Sequence, residues 1–126
     1  MEFPEELRYT KDHEWIRLDG EIGTVGITDY AQHELTDVVF VEVPKPGTQV
    51  KRGATFGTVE AIKAVSDLYS PVDGVVAEAN GELEAKPELV NEDPYGKGWL
   101  IKVTVSDPSQ IGSLLSAAEY RKLVEK

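Results

Sequence analysis

A chain of 126 residues supports one domain with a modest core, and 40% hydrophobic with 29% charged residues is an ordinary soluble composition. A net charge of −10, from 23 acidic and 13 basic residues, argues against nucleic acid and anionic membrane surfaces, which are polyanions themselves. Cysteine is absent, so the chain's own residues offer no disulfide, thiolate metal site or thiol redox chemistry, and any redox role needs an attached group. No apolar run approaches the ~20 residues of a membrane span. The acidic start, Met1 to Glu6, lacks a signal or transit pattern, and a cytoplasmic location is expected.

In chain order, Glu14 to Asp19 alternates as a strand, Asp19-Gly20 is a hairpin turn, and Ile22 to Ile27 is the returning strand. Thr28 caps a short helix over Asp29 to Leu35. Asp37 to Val43 is a strand rich in β-branched and aromatic residues. After the Pro44–Gly47 turn come a short strand at Thr48 to Val50, a turn at Lys51 to Gly53, and a strand from Ala54 to Ile62. Strand resumes after Lys63 to Tyr69, turns at Pro71 to Gly74, and continues from Val75 to Ala79. Asn80-Gly81 is another turn, and residues 82 to 98, rich in polar residues with Pro, Gly and Asn, read as loop. Trp99 to Val105 is a strand. Asp107-Pro108 suits a helix start, and Ser116 to Glu119 is a capping box for a helix whose apolar side carries Leu115, Tyr120, Leu123 and Val124.

A Pro-x-x-Gly turn occurs at Pro44 and again at Pro71, each between strands, with Lys63 between the copies. That echo suggests two β-halves related by a pseudo-twofold with the lysine in the connection.

Enzyme motifs are missing: there is no G-x-S-x-G elbow, glycine-rich phosphate loop or H-E-x-x-H pattern. A metal site built from His13, Glu14 and His33 would rest on two histidines twenty residues apart, which ordinary surface or turn histidines explain better. Lys63, flanked by Ala61-Ile62 and Ala64-Val65, sits at a turn and points outward. A hydrated turn lysine is a poor nucleophile and better placed as an acyl acceptor; by local physics alone an ordinary solvated lysine is the preferred reading.

The segment Glu60-Ala-Ile-Lys63-Ala-Val-Ser-Asp-Leu-Tyr-Ser-Pro71 resembles the lipoyl-lysine segment of the glycine cleavage system H-protein family. The resemblance runs from about Arg8 to the C-terminal helix. It includes Tyr9, His13-Glu14-Trp15, Gly26 to Asp29, Ala31-Gln32, Val39 to Glu42, Pro44 to Gly47, Asn91, Pro94-Tyr95, Gly98-Trp99 and Glu119-Tyr120. Ala61, Ile62 and Thr36-Asp37 depart from the common pattern without touching Lys63.

The resemblance implies a mainly β barrel-sandwich hybrid, like lipoyl and biotinyl carriers, with a short internal helix and a C-terminal helix. One carrier domain would span residues 1–126, with its core at about 8–105 and a helical segment at about 107–126. The implied cofactor is lipoate, joined by an amide to Lys63, on a carrier that is not itself an enzyme. The implied partners are the pyridoxal-phosphate glycine decarboxylase, the tetrahydrofolate-dependent aminomethyltransferase, the FAD enzyme dihydrolipoyl dehydrogenase, and a lipoate ligase or a lipoyl or octanoyl transferase. A monomer is expected. By the same resemblance Glu14, Asp67 and Asp12 form the cleft that shelters the cationic end of the loaded arm. Plain surface acidity is the alternative for these carboxylates. Two other functions stay open: an H-like lipoate carrier serving protein lipoylation or another lipoate-dependent pathway, and an unmodified interaction domain.

Overall fold

The computed structural model describes residues 1–125 and is built on nine strands and five short helices among them. The strands are β1 (Arg8–Tyr9), β2 (Glu14–Asp19), β3 (Ile22–Ile27), β4 (Val38–Glu42), β5 (Gln49–Val50), β6 (Thr55–Ala61), β7 (Val65–Tyr69), β8 (Gly74–Ala79) and β9 (Ile101–Val105). The helices are α1 (Asp29–Leu35), α2 (Glu82–Ala85), α3 (Leu89–Glu92), α4 (Ser109–Gly112) and α5 (Ala117–Val124). Two open sheets result, a six-stranded one ordered β1-β2-β3-β9-β8-β5 and a three-stranded one ordered β4-β6-β7. The expected mainly β sandwich is therefore present, with neither sheet closed into a barrel.

The β2–β3 hairpin follows from its turn chemistry. Gly20 takes φ +63° at the first central position of a two-residue loop, and Asp19 pairs with Ile22, so the turn lies one residue later than Asp19-Gly20. Trp15 faces Gly26 across this hairpin, where a Cβ would come within 2.7 Å of the indole, so glycine lets the ring lie flat on β3. Its Nε1–H donates to the carbonyls of both Ile27 and Pro94 at 3.0 Å, which fastens residue 94 onto the β2–β3 pair.

Three apolar clusters make the core. Ile16, Val25, Val76, Ile101 and Val103 pack beneath the large sheet. Ile27, Val41, Val59, Leu68, Leu83, Val90 and Leu100 fill the space around the small one. Leu7, Tyr9, Trp15, Ala117 and Tyr120 join the N-terminal strand to α5. Val43 and Phe56 touch both of the first two clusters and so bind the sheets together.

Residues 82 to 98 are not simply loop. Leu83 and Val90 are buried on the single-turn helices α2 and α3, so each turn of helix serves to dock one apolar side chain on the small sheet's core. The Asn80 amide holds the segment's two ends, donating to the carbonyls of Lys97 and Trp99 and accepting from the Glu82 N–H. Regular strand at the far end begins at Ile101 rather than Trp99.

The two copies of the Pro-x-x-Gly echo meet: Gln49 pairs with Val75 and Val50 with Gly74, antiparallel. Their glycines differ in role. Gly47 has φ +93° in a turn, whereas Gly74 lies in β8 where a Cβ would strike the Thr104 carbonyl of β9. At the C-terminus, Ser116 and Glu119 form both hydrogen bonds of the expected capping box. Asp107 accepts from the Ser109 N–H as α4 begins. Lys126, the end of the expected helical segment, lies outside the described residues.

Candidate functional site

Lys63 sits at the tip of the β6–β7 hairpin. Glu60 pairs with Val65, and Ala61 N–H donates to the Ala64 carbonyl at 2.7 Å, which leaves Ile62 and Lys63 as the turn. Neither residue has a positive φ, so this turn needs none of the Asn-Gly chemistry of primed hairpins. Ile62 N–H donates to the Asp37 carbonyl at 3.1 Å, tying the tip to the start of β4. Lys63 is exposed and forms no ion pair among the described residues. Ile62 and Val65 beside it are 74% and 66% exposed, unusual for β-branched side chains in a small protein with an otherwise well-buried core.

The hairpin stands over a shallow depression of about 490 Å³ lined by Gln32, His33, Glu34, Thr36, Asp37 and Asn91. Asn91 of α3 organises its floor. Its Oδ1 accepts from Val38 N–H at 2.9 Å, and its Nδ2 donates to the Thr36 carbonyl at 2.6 Å and to Gln32 Oε1 at 3.2 Å. Those bonds hold the α1–β4 connection, where Thr36 has φ +60°. His33 and His13 line different depressions.

The structure brings the three sequence-designated carboxylates together. A cleft of about 290 Å³ between residues 12–14, α1 and β7 is lined by Asp12, Glu14 and Asp67, with Glu34 as a fourth acid. Ile27, Ala31, Leu35 and Leu68 supply its apolar walls. Asp12 and Asp67 are exposed at its edge, whereas Glu14 is 1% exposed. Glu14 is held from two sides: Thr10 Oγ1–H donates to its Oε1 at 2.6 Å and Tyr69 N–H to its Oε2 at 3.1 Å. Thr10 Oγ1 in turn accepts from the N–H groups of Glu14 and Asp12, so one hydroxyl shapes the whole 10–14 turn. Burial pushes the Glu14 carboxyl up to about 7, against the two hydrogen bonds that favour its charged form. Glu14 and Asp12 also border a second cavity of about 270 Å³ with Tyr9, Arg52, Tyr69 and Leu114.

Lys63 itself does not line the cleft. Glu34 of α1 borders both the lysine's depression and the acidic cleft, and β7 runs from the lysine turn to Asp67. An exposed, unpaired amine is open to acylation, apolar walls suit an alkyl arm, and a set of carboxylates suits a cationic end. The residues present therefore fit an arm borne on the lysine.

Sequence reasoning passed over three contributors. Thr10 carries no motif. His13, weighed only as a metal ligand, lines the cleft with its backbone at φ +72°, and its Nδ1 lies 2.8 Å from the Tyr120 hydroxyl. Tyr120 read only as an apolar residue of α5, and nothing local could have revealed its hydroxyl's partners.

Two small sheets packed around a shared core, with a lone lysine displayed on a hairpin tip, are the fold of lipoyl- and biotinyl-carrier-like domains. A family model described as glycine cleavage H-protein matches residues 7–126. The glycine cleavage system H protein of Chlorobium limicola is 56% identical over 126 residues, covering 98% of each chain. That of Carboxydothermus hydrogenoformans is 53% identical over 123 residues, covering 98% of this chain and 95% of the relative. The crystal structure of a glycine cleavage system H protein from Mycobacterium marinum superposes with a TM-score of 0.90 at 39% identity, covering 98% of this chain and 99% of the other. The chain belongs to the glycine cleavage H-protein family.

Proposed function

We propose that this protein is the lipoylated carrier of glycine cleavage, bearing the aminomethyl group of glycine on an arm attached at Lys63. The observation that carries the reading is the pairing of an exposed hairpin-tip lysine with a carboxylate-lined cleft reached along the same strand. Family membership supports it over an unmodified interaction domain. Lipoate, held at Lys63 by an amide, supplies the thiol and disulfide chemistry that a cysteine-free chain lacks.

The chain's own residues divide the work. The β6–β7 turn presents the Lys63 amine to a lipoylating enzyme without a competing ion pair. Ile27, Ala31, Leu35 and Leu68 exclude water from the cleft walls. Asp12, Glu14 and Asp67 attract an ammonium, and a cation beside Glu14 favours its ionised form, so cargo arrival draws a proton off the buried acid. Keeping the cargo's amine protonated ties up the lone pair that would otherwise drive its loss as ammonia and formaldehyde.

In this reading residues 1–126 serve as one monomeric, non-catalytic carrier unit in the cytoplasm. It visits the pyridoxal-phosphate decarboxylase, the tetrahydrofolate-dependent aminomethyltransferase and the FAD-dependent dihydrolipoyl dehydrogenase in turn. Tethering raises the arm's effective concentration once the carrier is docked. Intact mass after co-expression with a lipoylating enzyme should show one lipoyl adduct that Lys63→Arg abolishes. Exchange of bicarbonate with the glycine carboxyl, catalysed by the decarboxylase, should require the adduct. An adduct at another lysine, or exchange undiminished in Lys63→Arg, would overturn the reading.

A further inference from the structure

The C-terminal helix reaches the cleft through a single hydroxyl. Tyr120 is fully buried, its ring stacked on Tyr9 at 4.8 Å and edge-on to Phe3 at 5.9 Å. Its oxygen lies 2.8 Å from His13 Nδ1 and 2.7 Å from Thr28 Oγ1. His13 lines the cleft from the 10–14 turn, with its ring 4.8 Å from that of Tyr30. Thr28 caps α1 by accepting from Ala31 N–H at 3.2 Å, and α1 carries the opposite wall: Tyr30, Ala31, Glu34 and Leu35. One oxygen thus fastens both walls to α5.

Donor and acceptor capacity fixes the direction of this chain. If Thr28 O–H donates to Tyr120 and Tyr120 O–H donates to His13 Nδ1, every hydroxyl proton has an acceptor, while Thr28 still accepts from Ala31. In the reverse direction His13 Nδ1–H donates to Tyr120 and Tyr120 to Thr28, which strands the Thr28 hydroxyl proton at a residue with no solvent exposure. The first direction requires Nδ1 to be bare, so the imidazole is neutral with its proton on Nε2. Charging the ring would force the costly reversal.

Resting on the carrier reading above, we propose that Tyr120 is a positioning residue of the cleft: its hydroxyl holds His13 neutral as the Nε2–H tautomer and locks the His13 turn to the cap of α1. A neutral His13 adds no positive charge to a cleft whose role is to hold an ammonium. The groups around His13 are Asp12, Lys11 and Glu14 on its own segment, Tyr30 and Glu34 on α1, and Asp67 on β7. Most are acidic and would favour a charged ring. Burial opposes them and holds the imidazole below its ordinary range, and the hydroxyl chain acts in the same sense.

The first measurement uses the unlipoylated protein. Long-range 15N NMR of the two histidines at pH 7 should show His13 with a bare Nδ1 and a protonated Nε2. A charged ring or the Nδ1–H tautomer would overturn the proposal. Tyr120→Phe keeps the ring contacts with Tyr9 and Phe3 and removes only the hydroxyl. It should shift His13 titration upward and, in the loaded protein, speed ammonia release about fivefold, the scale of one hydrogen bond. Thr28→Ser, which keeps the hydroxyl, should behave as the parent. If Glu14→Ala speeds release and Tyr120→Phe does not, the positioning role fails alone. If neither does, the sheltering cleft itself fails. Should Tyr120→Phe not fold, the tautomer in the parent protein still decides.

Discussion

The lysine hairpin and the acidic cleft, joined by one strand, are built on opposite terms. At the hairpin tip the side chains are free: Lys63 has no ion pair among the described residues, and Ile62 is 74% exposed. At the cleft the central acid is 1% exposed and doubly hydrogen-bonded, and its turn is locked through Thr10, His13 and Tyr120. A group that must meet several enzymes is left loose, whereas a group that must recognise one charge is held in place. Substitutions at the tip should therefore change chemistry without changing stability, and those in the cleft should change both.

The sharpest break is Lys63→Arg. Arginine keeps charge and length yet cannot be acylated in the same way, so the lipoyl adduct should vanish from the mass spectrum while Tm stays within about 1 °C. Next in size is the titration of Glu14. Its carboxyl is raised from 4.5 to about 7, so across that interval the folded state keeps a proton that the unfolded chain has released. Stability must then fall as pH rises through the interval and level off above it. Glu14→Gln should flatten this fall by on the order of 2–3 kcal/mol between pH 4.5 and 8, read from denaturant midpoints. Glu14→Ala should leave lipoylation intact and shorten the lifetime of the loaded protein; an unchanged rate of ammonia or formaldehyde loss would count against the cleft. Ser116→Ala removes the α5 cap and should cost about 1 kcal/mol. Because that helix carries Tyr120, ammonia release should rise alongside. The smallest effect is expected at the tip, where Ile62→Ser should alter stability by less than about 0.5 kcal/mol.

Local chemistry was the legible part. Thr28, Gly20 and the Ser116–Glu119 box announce α1, the first hairpin and α5 because each acts on backbone only two or three residues away. The helices at Leu83 and Val90 were hidden, since four residues of helix amid Pro, Asn and Gly give no periodicity. Lys63 could be seen as a turn lysine, but only resemblance distinguished it from any other. Glu14 and Asp67 were designated the same way, and they meet in one cleft because the two sheets pack together, with Tyr69 N–H of β7 donating across to the Glu14 carboxylate of β2. The role of Tyr120 was invisible because its partner His13 is 107 positions away, and a tyrosine on an apolar helix face reads as packing.

His13 shows where the fold gives up stability for this arrangement. At φ +72° it occupies backbone space that glycine enters freely and that an L-residue enters at roughly 1 kcal/mol. Replacing it with glycine would relieve the backbone while deleting the imidazole that Tyr120 grips. A search for thermostable variants, scored by melting temperature, should therefore pass this position by: the strain relieved is offset by the acceptor that the buried Tyr120 hydroxyl would lose, so the strained backbone and the buried hydroxyl hold each other in place.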